Sequence, residues 1–328
     1  MVKQRSLGKS GLMTSEIGLG CWQLGGDWGP VSADRGRTIL SAADAAGVTF
    51  WDTADVYGGG VSEQLIGDYA QAHPNADRVI VTKAGRTDEL YGQGYTQDKL
   101  RAAIDASRRR LQVDTLAMVQ LHCIPFAELQ RGEIFRWLEG FKQEGLIAHY
   151  GASVETIEEA LFCLNETGVA SLQLIFNLLR QDMAEQVLPL AQAKGVGVIV
   201  RLGLASGLLA GKMTKDQRFT PQDHRTFNRD GAAFHVGETF SGLPFEQAID
   251  LIEQLRPMVP AGLNMAQLAL RWLLDHAAVS SVITGASSAE QIQRNAEASQ
   301  LAPLSADTHK ALADFYRLHV RAHIRGVI

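Results

Sequence analysis

Cysteine is scarce in this chain. Cys21, Cys123 and Cys163 are the only three in 328 residues, far apart and without a CxxC pair. An odd, scattered set excludes a disulfide framework and fits a reducing compartment. Long apolar runs are missing as well: nothing approaches the roughly 20 consecutive apolar residues that a membrane-spanning helix requires. The N-terminal stretch MVKQRSLGKSGL lacks the apolar core of a secretory signal, so a cytoplasmic protein is expected. Basic tracts are absent apart from RRR at 108–110, which falls in a helix-like stretch as a solvated face. With a formal net charge of −5, neither nucleic acid nor a membrane surface is an expected partner. The histidines show no metal-ligand spacing, and no Ser-His-Asp nucleophile elbow occurs, so no metal is expected. GxGxxG is missing too: residues 18–23 and 58–63 both fail to match it.

What is present is an alternation. Short apolar or β-branched runs at 17–19, 49–52, 79–83, 118–122, 148–152, 172–176, 197–201 and 281–284 read as buried parallel strands. Between them, residues 35–46, 62–72, 97–111, 134–144, 154–165 and 184–194 carry helical periodicity. Eight strand–helix units without a dinucleotide fingerprint predict an α/β protein, a closed (β/α)8 barrel rather than an open doubly wound sheet. Residues 3–16 read as a hairpin ahead of the first strand. Residues 263–275 and 308–321 read as extra helices. The polar segment 210–243 is too long for a plain connection and reads as a functional loop or lid. The C-terminal stretch 319–328 is expected either to cover the pocket or to be a solvated end. No repeat or linker divides residues 1–328, which are expected to form one domain.

Barrels of this kind place their chemistry at the C-terminal ends of strands. The second strand ends at Asp52 with Tyr57 just beyond, the third at Lys83 and the fourth at His122. Each has an ordinary structural reading alone: a turn residue, a packing ring, a snorkelling amine, a core histidine. An acid, a phenol, an amine and an imidazole on consecutive strand ends are harder to explain that way. Lys83 near Tyr57 would lower the phenol's pKa, and Asp52 would hold Lys83 charged. His122 would orient a substrate carbonyl, and the tuned phenol would act as general acid. None of the four supplies a hydride, so the set requires a bound reductant.

These residues sit in FWDTADVYG (50–58), VTKA (81–84) and VQLH (119–122). With GAS (151–153), LQ (172–173), NLL (177–179), ASGLLAGK (205–212) and ITGASS (283–288) followed by Gln291 and Asn295, the chain resembles the aldo-keto reductase family over nearly its whole length. The resemblance implies reduction of aldehydes or ketones, or the reverse oxidation of sugars or polyols. Tyr57 would be the proton donor, Asp52 and Lys83 its tuning pair, and His122 the carbonyl orienter. Trp22, Tyr57 and His122 would line the substrate pocket. Cys21, Trp22 and Asp52 would border the cofactor, with Ser153 and Gln173 bonding its nicotinamide carboxamide. Leu202, Gly203, Leu204, Ser206, Gly207 and Lys212 would follow its pyrophosphate, where backbone N–H groups and a cation suit phosphate. Gly285, Ser287, Gln291 and Asn295 would lie at its adenine end, by a helix start.

Three positions depart from the family pattern. Val154 stands where many members have Asn, and Arg201 where many have a ring that stacks on the nicotinamide; a planar guanidinium can also stack. Gly285 and Gln291 stand where NADPH-specific members carry Lys and Arg, leaving Ser287, Ser288, Arg294 and Lys212 as candidates for the 2′-phosphate. The family implies NADPH, with NADH as the alternative. A cofactor-binding subunit that works through a partner protein is the second functional reading, disfavoured because no docking segment is seen. Oligomeric state is left open.

Overall fold

A computed structural model of the chain describes residues 2–26, 31–92 and 94–328. A short antiparallel hairpin, β1 (Gln4–Ser6) and β2 (Met13–Ser15), precedes all eight expected strands: β3 (Ile17–Gly20), β4 (Phe50–Asp52), β5 (Val79–Ala84), β6 (Met118–His122), β7 (Tyr150–Ser153), β8 (Ser171–Ile175), β9 (Gly197–Arg201) and β10 (Val279–Gly285). The eight pair in parallel in chain order, and β10 returns to β3 to close the barrel. The strands are buried almost throughout, as they must be with helices outside and side chains filling the interior.

The hairpin plugs the N-terminal mouth. Leu7, fully buried, joins Phe50, Val81, Met118 and Ile199 in a separate apolar cluster inside the barrel. This seat depends on Gly8, which adopts φ +56°, and a Cβ there would stand 2.3 Å from the backbone nitrogen of Gly197. Gly8→Ala is therefore expected to cost about 1–2 kcal/mol in backbone strain alone, plus the displacement of the hairpin. Thermal unfolding followed by circular dichroism should show a midpoint a few degrees lower; an unchanged midpoint would mean the hairpin is not seated on the barrel.

Helices α1 (Ala33–Ala46), α2 (Val61–Ala72), α3 (Gln97–Leu111), α4 (Phe126–Arg131), α5 (Glu133–Gln143), α6 (Ile157–Glu166) and α7 (Met183–Lys194) lie between the strands in turn. Past β9 come α8 (His224–Phe227), α9 (Phe245–Leu255) and α10 (Met265–Leu274); past β10 come α11 (Ala289–Glu297) and α12 (Ala306–Phe315). Caps set their starts. Ser32 accepts from the Arg35 N–H, and Thr96 from that of Lys99. The helix expected from residue 154 starts at Ile157 because Thr156 and Glu159 form a capping box there. The helix expected over 308–321 ends at Phe315 and continues as a π turn, Tyr316–Val320. No helix among the described residues is long and apolar enough to cross a membrane.

Segment 210–243 folds inward, with α8 and two single turns, Val236–Glu238 and Phe240–Gly242. Phe240 is fully buried between Phe219 and Phe245. The C-terminal stretch straps this segment down: Arg325 donates to the Gly242 carbonyl at 2.9 Å and pairs with Asp230 at 2.6 Å. Arg180, itself buried, donates to the carbonyls of Ser241 and Val327.

Candidate active site

Parallel pairing brings the strand ends level. His122 on β6 is opposite Ser153 on β7, and Ser153 is opposite Gln173 on β8. Asp52 and Lys83, on neighbouring β4 and β5, are each 1% exposed and form an ion pair of 2.5 Å. Lys83 Nζ also donates to Tyr57 Oη and to the Thr53 carbonyl, both at 3.0 Å. The other carboxylate oxygen of Asp52 accepts from Gln173 Nε2 at 2.7 Å and from Gln120 Nε2 at 3.3 Å. Tyr57 is aimed inward by the turn Tyr57–Gly60, where Gly58 (φ +61°) has no Cβ to collide with the Gly25 carbonyl. Its ring meets His122 edge-on at 5.9 Å between centroids and Trp22 face-on at 5.9 Å. Trp22 also packs against His224 and Phe234, completing an aromatic wall.

Burial dominates the electrostatics. It pushes the Tyr57 phenol up to about 12, outweighing the pull of Lys83 in the other direction. Lys83 does pull the phenol down as expected, but burial outweighs it, so the net shift is upward rather than toward neutrality. Burial also works against the Lys83 ammonium, but Asp52 and Tyr57 more than restore it and hold it above the usual lysine range. Burial, with Arg86, Lys83 and Arg201 nearby, holds His122 well below the usual histidine range. A neutral imidazole beside a protonated phenol can hold a carbonyl oxygen and protonate it.

Apart from Cys21, Trp22 and Asp52, the candidate cofactor residues occupy the other half of the rim, on or just beyond the consecutive strands β7 to β10. Gln173 supplies a test of fit. Its NH₂ faces the Asp52 carboxylate, which can only accept, so its Oε1 points away; that oxygen is buried without a hydrogen bond. An orphaned acceptor beside Ser153 matches the N–H of a carboxamide, and the residues fit a nicotinamide. Leu202, Ala205 and Ser206 all have positive φ (57°, 49° and 56°), a strained run rare outside functional sites. Gly203, Leu204 and Gly207 complete this turn, and Lys212 lies exposed just past it. The Ser206 hydroxyl is engaged internally, donating to the Glu238 carbonyl and accepting from the Phe240 N–H.

At the far end, Gln291 Oε1 accepts from the Ser287 N–H at 2.6 Å and its hydroxyl at 3.0 Å, standing where an anion's oxygen would. Asn295 is buried on the inner face of α11. Gly285 leaves room that the Gln23 amide fills; a Cβ there would lie 2.0 Å from Gln23 Nε2. Cys21 is buried next to Asp52, its N–H donating to the Asp52 carbonyl at 2.8 Å.

Several rim residues carried no sequence signal. Arg35 of α1 donates to the Ser287 carbonyl at 2.8 Å, bringing a cation to the α11 start. Arg86, just past β5, pairs with Glu155 at 2.9 Å and with Glu238 at 3.2 Å. Arg201 also pairs with Glu238, at 3.3 Å, and its Nη2 reaches the Val154 carbonyl at 3.3 Å and Cys123 Sγ at 3.6 Å. Burial and the adjacent Glu238 push Glu155 up, while Arg201 and Arg86 hold Glu238 down against its burial. Cys123, Glu155 and Glu238 come within 4.8 Å of one another, a spacing that would admit a metal ion. Arg86 and Arg201 already supply the positive charge those carboxylates require.

A model of the Aldo/keto reductase family matches residues 16–317. An uncharacterized oxidoreductase of Bacillus subtilis, YqkF, is 30% identical, covering 97% of this chain and 99% of its own. Among solved structures, aldo-keto reductase AKR11C1 from Bacillus halodurans in its holo form superposes with a TM-score of 0.78 at 27% identity, covering 96% of both chains. Glycerol dehydrogenase AKR11B4 from Gluconobacter oxydans gives 0.79 at 25% identity, covering 99% of this chain and 98% of the other.

Proposed function

Because the chain belongs to the aldo-keto reductase family, we propose that it reduces aldehydes or ketones to alcohols with NAD(P)H, or runs the reverse oxidation of a sugar or polyol, as an NADP-linked alcohol dehydrogenase does. The observation that carries this reading is Lys83 Nζ, bonded at once to Asp52 and to Tyr57 Oη beside a neutral His122. A nicotinamide cofactor, when bound, supplies the hydride. His122 orients the carbonyl oxygen, Tyr57 Oη gives it a proton, and Lys83 stabilises the phenolate left behind. Trp22, with Tyr57 and His122, shapes the pocket. Glycerol is the substrate named for one structural relative, which supports the polyol arm. The three free, buried cysteines support a reducing, cytoplasmic setting. The test is cofactor consumption, followed by absorbance, with NADPH and then NADH against a panel of aldehydes and polyols. Wild type that binds cofactor yet turns nothing over, with Tyr57→Phe behaving identically, would sink the proposal.

NADPH is the proposed form. Arg35 is held at the Ser287 carbonyl, so a cation stands by a helix start that already favours anions. Arg35→Leu should weaken NADPH binding roughly fivefold, the scale of one exposed ion pair, and leave NADH unchanged. Equal weakening of both cofactors in a fluorescence titration would remove Arg35 from the phosphate subsite.

A further inference from the structure

Glu238 lies 152 residues from Arg86 in sequence, yet its carboxylate bridges two guanidinium groups at the catalytic rim. One oxygen takes Arg86 Nη1 and Nη2, both at 3.2 Å, and the other takes Arg201 Nη1 at 3.3 Å. All three side chains are largely buried, with 9 to 16% exposure, so the charges act through a poorly screening medium. Arg201 extends from Glu238 to the carbonyl of Val154, the residue after Ser153, and its Nε is buried without a partner. A carboxamide held by Ser153 and Gln173 would place its ring on the side of the rim that this guanidinium occupies.

That neighbour matters because the two redox forms differ in charge. The oxidised nicotinamide ring is cationic and the reduced ring is neutral, so an uncompensated Arg201 would repel the first and leave the second nearly unaffected. Arg86 adds positive charge on the same side and takes Glu155 as a partner of its own at 2.9 Å, whereas Arg201 pairs with Glu238. The compensation therefore falls to Glu238. It is carried on the segment braced by Arg180, Arg325 and the Ser206 hydroxyl, so its position is fixed by the fold rather than by the cofactor.

We propose that Glu238 is a positioning residue that sets the relative affinity for oxidised and reduced cofactor, by orienting Arg201 and offsetting its charge. This rests on the oxidoreductase reading above. The experiment is equilibrium titration of wild type, Glu238→Gln, Arg201→Met and the double variant with NADP⁺ and NADPH, followed by quenching of tryptophan fluorescence. Removing the negative charge that offsets Arg201 should raise the ratio Kd(NADP⁺)/Kd(NADPH) by at least about tenfold in Glu238→Gln, the Coulomb scale for a unit charge roughly 10 Å away at an effective dielectric of about 20. Arg201→Met should lower the ratio, and the double variant should return it toward the wild-type value. A purely structural role would loosen the segment and weaken both forms alike; an unchanged ratio overturns the proposal. Wild type that binds neither form would instead overturn the oxidoreductase reading, so the two failures are distinguishable.

Discussion

Tyr57→Phe is expected to lower kcat for carbonyl reduction by about 10²–10⁴, the usual contribution of a positioned general acid, while stability hardly changes. The substitution removes one oxygen and keeps the ring that packs on Trp22 and His122. Lys83 retains its bonds to Asp52 and the Thr53 carbonyl, so the ammonium is not stranded. The pH dependence follows from burial. With the phenol held near 12, the acid form required for reduction is complete at every ordinary pH, and reduction should not fall between pH 6 and pH 10 on account of this group. Oxidation of an alcohol needs the phenolate, whose fraction grows tenfold for each pH unit below the pKa. The same active site should therefore show flat reduction and steeply rising oxidation. Single-turnover rates in both directions across that range are the measurement. A reduction limb that falls with a midpoint near neutrality would show that another group donates the proton.

The sign of that pKa shift shows where sequence reasoning stops. From residues alone, Lys83 beside Tyr57 reads as an acidifying contact, and the contact is there. What outweighs it is the desolvation of a half-buried phenol packed between Trp22 and His122, which depends on the whole tertiary structure. The strands were legible because buried parallel strands are written as short β-branched runs. Asp52, Lys83 and His122 were legible because such strands put their chemistry at their C-terminal ends. Ser153 and Gln173 entered through family resemblance, and their strand register explains why they sit together. Glu238 carried no comparable mark. It lies in a polar stretch with no periodicity, and its partners are on β9 and beyond β5, so only the folded segment reveals it. Arg35 was hidden differently: on an exposed helical face it reads as a solvated charge, and the packing of α1 beside α11 gives it a neighbour.

Lys83→Met should be the most damaging substitution, because it harms both folding and chemistry. It removes the ammonium from a carboxylate that is 1% exposed, leaving Asp52 with only the amide donors of Gln173 and Gln120 among its side-chain partners. Breaking a buried ion pair from one side costs about 3–5 kcal/mol, since the remaining charge has neither water nor a counter-ion. Activity should vanish together with the group that stabilises the Tyr57 phenolate. The double variant Asp52→Asn/Lys83→Met separates these effects. With both charges gone, the neutral amide keeps its shape between Gln173 and Gln120, and most of the lost stability should return. Catalysis should not, because Tyr57 still lacks its cation. Denaturant unfolding of the three proteins, alongside their turnover, is the measurement. If Lys83→Met unfolds at the wild-type denaturant concentration, Asp52 is reaching water or taking up a proton, and the pair is not the sealed charge couple that the geometry shows. If the double variant recovers turnover as well as stability, the ammonium is dispensable to the phenol, and the proton-donor role must be sought in His122.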